Sequence, residues 1–407
     1  MWCVSSNPQP QSSAAGLQGL RLTRKPELDA LRGLFLVWMT LTHLPTRMSD
    51  LVNQPFGFVS SAEGFVFLSA LLVGRVYMRQ ALEKRGALRT KLWKRALKVY
   101  AYHVSLLLLA FTFAAAFAVV RHRAALENLL DFYIAHPAVA VVGSLLLIYC
   151  PPLLDILPLY VIFLLASPFA FSIAARRGWR PVVVCSTLIW LLAQFHLRVG
   201  VHQVVVHVTH LPIPLQESGA FDLFAWQWIW IIGMWVGARS LEGQMPLHRI
   251  PQWGRWMAGA ICVFFLGVRH SWWGLDLTQE SLGRLLDKWQ VAPLRLLNLV
   301  AFVVVLYGLR SAVRWLISRE PFITLGRASL EVFCAHLLFV FIGLALLYGE
   351  VPELHGIYAL ALLAVTFLGL IYVAQRQVRL KQANSRKAQS TTVAVVDNSS
   401  LALKRSA

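Results

Sequence analysis

Residues 29–48 read DALRGLFLVWMTLTHLPTRM and residues 60–74 read SSAEGFVFLSALLVG, with a short polar connection between them. The two apolar runs read as the arms of a helical hairpin in a membrane. Both arms carry ionisable groups. Arg32 and His43 are eleven residues apart on the first arm. At about 100° per residue that is close to three turns, so both lie near one face, roughly 16 Å apart along the axis. Glu63 opens the second arm at a depth close to His43. Ionisable side chains inside a bilayer are costly, which makes each of the three a candidate for function.

The rest of the chain reads as a scaffold for this hairpin. Of 407 residues, 57% are hydrophobic and 14% charged, against about 25% charged in soluble domains. Several runs approach the ~20 apolar residues that cross a bilayer core. This composition excludes a large soluble domain and predicts an all-α, polytopic transmembrane helical bundle. The formal net charge of +19 fits basic loops facing an anionic cytoplasmic leaflet. Membrane lipid is therefore the expected partner, and nucleic acid is not. Cys3, Cys150, Cys185, Cys262 and Cys334 are scattered, with no C-x-x-C pair, so no disulfide framework or thiolate metal centre is expected. The first 20 residues lack an apolar core, and the first helix is expected to insert uncleaved.

Taken in order, residues 1–26 read as a disordered cytoplasmic tail, 27–376 as the membrane domain and 377–407 as a disordered, basic cytoplasmic tail. Spans are expected near 32–48, 59–79, 99–120, 181–196, 222–238, 254–269, 294–309, 322–347 and 355–375. A basic segment from Arg75 to Lys98 precedes the third span, and 121–136 reads as an amphipathic interfacial helix. The stretch 137–175 is ambiguous because Pro151-Pro152 interrupts it. It crosses either twice, or once with a re-entrant piece. A single crossing gives ten spans with both termini cytoplasmic. Of 38 Lys and Arg, only Arg47, Arg121, Arg123, Arg198, Arg269, Arg284, Lys288 and Arg295 then fall outside. Two crossings would destroy that bias, so the positive-inside rule favours ten spans.

Several side chains could carry chemistry. Arg32 is either an interfacial arginine balanced by Asp29, or a guanidinium that grips a phosphate or carboxylate. His43, two residues before Pro45, is either a histidine bonded to a carbonyl, or a general base or acyl acceptor. A buried Glu63 must be neutral or paired. His43 is its nearest evident partner, and a carboxylate there would fix the imidazole tautomer. Pairing of Glu63 with another helix is the competing reading. Arg95 and Lys98 belong to a run of topology charge in which one or two residues could line a phosphate site. In LGRASLEVFCAHL (325–337), Arg327 and Glu331 stand at i, i+4 and are expected to pair. Glu331 and His336 suggest a second inward-facing polar cluster. Asp155 is a candidate outer group facing an acceptor. His196, His202, His207 and His210 lie in a segment read as strand or irregular loop, and no metal is expected there.

At these residues the chain resembles the OpgC family of membrane acyltransferases, a branch of the acyltransferase 3 superfamily. The carriers are LDALRG (28–33), the Arg32–His43 spacing, SSAEGFVFLSALLVG (60–74), PPLLDILPLYVIFLLASP (151–168) and LGRASLEVFCAHL (325–337). The resemblance spans about 27–375. It implies a ten-helix enzyme of the bacterial inner membrane. Such an enzyme takes an acyl group from cytoplasmic acyl-CoA, succinyl-CoA or acetyl-CoA, and places it on a periplasmic or surface glycan such as an osmoregulated glucan. No bound cofactor is implied. Arg32 and His43 match the superfamily's essential Arg and His. Arg95-Ala96-Leu97-Lys98 matches its Arg-x-x-Arg motif with Lys in the second place. Ser69-Ala70 stands where Ser-Gly is usual. The site this implies has His43 and Glu63 as catalytic residues, Arg32, Arg95 and Lys98 as donor-binding residues, and Asp29, Glu331 and His336 as supporting groups. Buried His, Glu and Arg also suit a proton-coupled carrier or flippase for a sugar, although no internal repeat of the kind carriers often show is evident. A non-catalytic partner of glycan synthesis is the third reading.

Overall fold

The computed structural model describes residues 25–405 except 84, 242, 244, 273, 275–282 and 350. All regular secondary structure among the described residues is helical, and the one β-bridge joins Thr46 and Leu354. The helices are α1 Pro26–His43, α2 Met48–Val52, α3 Ser61–Glu83, α4 Arg85–Leu109, α5 Ala115–Arg121, α6 Ala124–Leu129, α7 Asp131–Ala135, α8 Pro137–Leu145, α9 Ile156–Arg177, α10 Trp179–Ala193, α11 Leu197–Thr209, α12 Leu223–Leu241, α13 Gln252–Arg269, α14 Pro293–Gly308, α15 Arg310–Ile317, α16 Phe322–Arg327, α17 Ser329–Leu346 and α18 Gly356–Arg405. Among the described residues, five stretches are long and apolar enough to cross a membrane: Ser61–Leu82, Ala87–Arg121, Ile156–Arg177, Ser329–Leu346 and Gly356–Asn384. The pairs α10–α11 and α14–α15 bend by 84° and 78°, and counting each pair as one span raises the number to seven. The chain is a helical membrane protein.

α1 starts with Pro26 in its first turn, where a missing N–H costs nothing. Glu27 and Asp29 lie at its positive end. It stops at His43, because the residue before Pro45 is driven out of the α region and Leu44 is extended. The expected first span therefore shifts to 26–43. The basic segment and the third span form one continuous helix from Ala87 to Arg121, 35 residues or about 50 Å long, with a π turn at Ala110–Ala114. Its basic end thus extends past a hydrocarbon core of ~30 Å. In the ambiguous stretch only α9 is long enough to cross. α8 has nine residues, about 14 Å.

Three expectations are corrected. The segment 121–136 is two short helices, broken at the fully buried Leu130. The segment around His202 is helix α11, not strand or loop. The span 322–347 breaks at Ala328, whose backbone leaves the helical region. Helix α18 runs on through the basic segment to Arg405. No Gly or Pro occurs after Gly369 to stop that helix. The expected N-terminal tail lies outside the described residues up to 24.

Small residues set the tightest crossings, as in other membrane bundles. A Cβ on Gly237 of α12 would lie 2.0 Å from the Leu71 carbonyl of α3, and one on Gly74 would lie 2.1 Å from that of Met234. Gly233-x-x-x-Gly237 and Ala70-x-x-x-Gly74 thus form one seam. Gly33 of α1 and Gly326 of α16 do the same against the carbonyls of Phe322 and Asp29. These two seams hold α1 and α3 against the rest of the bundle and set the depth of their polar side chains.

Candidate active site

Two polar centres are strung along α1. The first is a cavity of about 300 Å³ at the Arg32 end. Its charged lining is Arg32, Arg95, Lys98, Arg327, Lys381 and Glu331, five cations around one carboxylate. Arg95 and Lys98 share a face of α4 because they are three residues apart. Arg95 donates to the Tyr160 hydroxyl at 3.1 Å. Lys98 and Lys381 reach the Glu331 carboxylate at 3.0 and 3.4 Å. Half of each lysine is exposed while Glu331 is buried. The Arg32 guanidinium lies over the Phe65 ring at 5.8 Å. The three expected donor-binding residues and Glu331 therefore meet in one cavity. The excess of cations suits a ligand with several phosphate charges. The expected Arg327–Glu331 pair is not formed. Ala328 breaks the helix between them, so they no longer stack one turn apart, and the two lysines take the carboxylate.

The second centre lies further along α1. His43 Nδ1 and His336 Nε2 are 3.2 Å apart, with ring centroids at 5.5 Å. His336 is fully buried and its Nδ1 bonds the Phe333 carbonyl. That contact fixes the protons. A carbonyl only accepts, so His336 Nδ1 carries the hydrogen and Nε2 is left with a lone pair. His43 Nδ1 must then donate to it. The lone pair of His43 therefore sits on Nε2, the atom a general base would use. Phe333 joins the two centres: its ring lines the cavity, stacks on Phe65 at 6.0 Å and meets the His336 ring edge-on at 4.9 Å.

Glu63 does not orient His43, which corrects the expected dyad. Arg295 of α14 holds both carboxylate oxygens, with Nε on Oε1 and Nη2 at 3.3 Å from Oε2. The two side chains are 0% and 2% exposed. A guanidinium can match a carboxylate with two parallel bonds and an imidazole cannot. Ser60 N–H and Oγ complete the site at 2.6 and 3.0 Å. Ser60-x-x-Glu63 is thus one half of a capping box, a signal that stood in the sequence. Asp29 is buried at the start of α1, where Gly326 packs against its carbonyl.

At the His43 end, Asp155 precedes α9 and accepts from the Ala220 N–H at 3.0 Å. Burial pushes its carboxyl up to about 6. Arg198 of α11 pins the same loop through Ser218 Oγ at 2.9 Å and the Gly219 carbonyl. Lys288, half-buried between α13 and α14, lies in electrostatic range of His43, Glu63, Asp155 and Arg295. Its ammonium is pushed down by burial and by Arg295. The sequence marked Lys288 and Arg295 only as loop charges. His207 and His210 have ring centroids 6.4 Å apart, and among the described residues no three His, Cys, Asp or Glu side chains are grouped to hold a metal.

Fold and site together define a helical membrane protein with a cationic cavity linked to a histidine pair, His336 of which is buried. Compared with protein-family models, residues 24–382 match the family described as OpgC protein. That match covers well over half of the chain, and the chain belongs to the OpgC family. No curated protein and no solved structure matches it.

Proposed function

We propose that this chain is a membrane O-acyltransferase that moves a succinyl or acetyl group from cytoplasmic acyl-CoA to a hydroxyl of an extracytoplasmic glycan, such as an osmoregulated periplasmic glucan. Family membership supports the class of activity. The observation that carries the mechanism is the placement of Arg32 and His43 on one helix. Arg32 stands in a cavity with Arg95, Lys98, Arg327 and Lys381, and His43 presents an unprotonated Nε2 about 16 Å further along. In this reading the protein lies in the bacterial inner membrane, crosses it ten times and keeps both termini in the cytoplasm.

The phosphates of CoA dock on Arg32, Arg95 and Lys98, and the pantetheine arm runs past Phe65 and Phe333 toward His43. His43 Nε2 takes the proton of the sugar hydroxyl as its oxygen attacks the thioester carbonyl. The new C–O ester bond forms, the C–S bond breaks, and the CoA thiolate leaves with the proton that the imidazolium returns. General acid–base help of this kind contributes about 10²–10⁴-fold. His336 is a positioning residue that sets the His43 tautomer. Glu63 and Arg295 anchor the outer ends of α3 and α14.

Mass spectrometry of envelope glycans tests this. Cells with the protein, without it, and with His43→Ala at equal membrane abundance are compared. An ester-linked acyl mass present only with the intact protein is expected, and that mass names the donor. Glycans that keep every acyl group in the deletion but change in amount or location point instead to a carrier.

A further inference from the structure

A second cavity, of about 490 Å³, lies on the opposite side of α3 from the cationic one and borders the same face of α1 beside Arg32. The acyl-transfer reading makes no use of it. Its lining is ordered along its length. Leu28, Leu31 and Phe35 line it from α1, Gly64, Phe67, Leu68 and Leu71 from α3, and Leu299, Phe302, Val303 and Leu306 from α14. Each set follows the i, i+3, i+7 spacing of a single helix face, so three apolar stripes run side by side for about 10 Å. Charge is confined to one end. Lys25 and Glu27 come from the start of α1, and Arg310 and Arg314 from α15.

α15 is built for a membrane boundary. It bends 78° away from α14. Arg310, Val313, Arg314 and Ile317 form one face and line the cavity. Trp315 and Leu316 point elsewhere and are 71% and 64% exposed. A short helix with arginines on one side and bare Trp and Leu on another belongs in the headgroup layer. Arg314 reaches Glu27 at 3.9 Å and Arg310 lies over the Tyr307 ring at 5.0 Å. Three cations face one carboxylate at this rim.

We propose that this cleft is a binding site for an anionic glycerophospholipid. The phosphodiester sits among Lys25, Arg310 and Arg314, and an acyl chain lies between the stripes of α1, α3 and α14. The excess of positive charge at the rim selects an anionic headgroup over a zwitterionic one. The apolar cleft behind it supplies the chain with the burial that a purely surface patch would lack. The lipid thereby packs against the face of α3 that lies behind Ser69 and beside Arg32 on α1, the side chains that line the cationic cavity.

The test is native mass spectrometry of the full-length protein, released from nanodiscs holding equal amounts of phosphatidylglycerol and phosphatidylethanolamine with matched chains. The intact protein should retain phosphatidylglycerol in preference, by tenfold or more. Arg310→Glu with Arg314→Glu should abolish that preference. Val303→Trp, which fills the cleft and leaves the rim unchanged, should lower retention of both lipids. Equal retention of the two lipids by the intact protein overturns the proposal without reference to any variant. So does undiminished phosphatidylglycerol on the charge-reversed variant. Binding of acyl-CoA that is lost with Arg310 rather than with Arg95 would assign the cleft to the donor and equally overturn it.

Discussion

Replacing His336 by Phe separates the histidine-pair account from every reading in which His43 acts alone. The substitution keeps a flat ring in the fully buried site and removes Nε2, the acceptor for His43 Nδ1–H at 3.2 Å. A neutral hydrogen bond of this type is worth about 0.5–1.5 kcal/mol net. Its loss frees the His43 proton to move to Nε2 and shrinks the competent tautomer by about two- to tenfold. The His43 ring also loses its rest against His336, and orientation errors add to this. kcat should therefore fall by about tenfold or somewhat more. His43→Ala, which removes the base itself, should cost about 10²–10⁴-fold. The double variant should be no slower than His43→Ala, because a residue that acts only through His43 has nothing left to act on. His336→Gln, which offers a carbonyl oxygen, should recover part of the loss. The assay is thioester cleavage from acyl-CoA by purified protein, followed through the freed thiol, at saturating donor. Full activity in His336→Phe, or additive losses in the double variant, would refute the tautomer argument.

Other consequences follow from the same structure. Glu63→Gln leaves the 2% exposed Arg295 without its carboxylate. Breaking a buried pair costs about 3–5 kcal/mol, so the thermal midpoint in detergent should drop sharply while turnover per folded molecule survives. Glu63→Leu with Arg295→Met should recover much of the stability and keep turnover, and a catalytic dyad would not allow the latter. Gly237→Ala forces a Cβ to within 2.0 Å of the Leu71 carbonyl. Overpacking of this kind costs about 1–3 kcal/mol, to be read as a lower unfolding midpoint. Asp155 gives a pH signature. Its carboxyl is raised from 3.8 to about 6 in the fold, so the native state holds the proton more tightly and stability falls as pH rises through that window. The loss by pH 8 is about 3 kcal/mol. Asp155→Asn should flatten the profile and gain most over the parent at pH 8 in thermal scans across pH 4–8. Arg95→Ala and Lys98→Ala should raise the donor KM more than they lower kcat, because each removes a charge from the cavity and leaves the histidines in place.

Local pattern carried more of this molecule than partner choice did. Arg32 and His43 lie on one helix, so spacing alone sets their alignment, and Pro45 marks where that helix must stop. The short separation of Arg95 and Lys98 likewise puts them on one face. The companions of these residues are a different matter. His43 meets His336 across 293 positions, and Glu63 meets Arg295 across 232. No local pattern encodes such pairs, and the nearer His43 drew the assignment of Glu63 for want of a known depth for α14. One error had a local remedy. Ser60-x-x-Glu63 is a capping box, which engages the carboxylate at its own helix start. The break at Ala328 had only Gly326 as a hint, and that glycine is explained by its contact with Asp29 instead.

The most direct test of the central claim uses purified protein reconstituted in liposomes. Acyl-CoA is supplied on one face and a neutral glucan on the other, and the ester-linked acyl group on the glucan is measured by mass. The account predicts acylated glucan with the intact protein, none with His43→Ala, and a product that forms only when the donor is on the face bearing Arg32, Arg95 and Lys98. Acylation that persists without His43, or that needs donor and glucan on the same face, would contradict it.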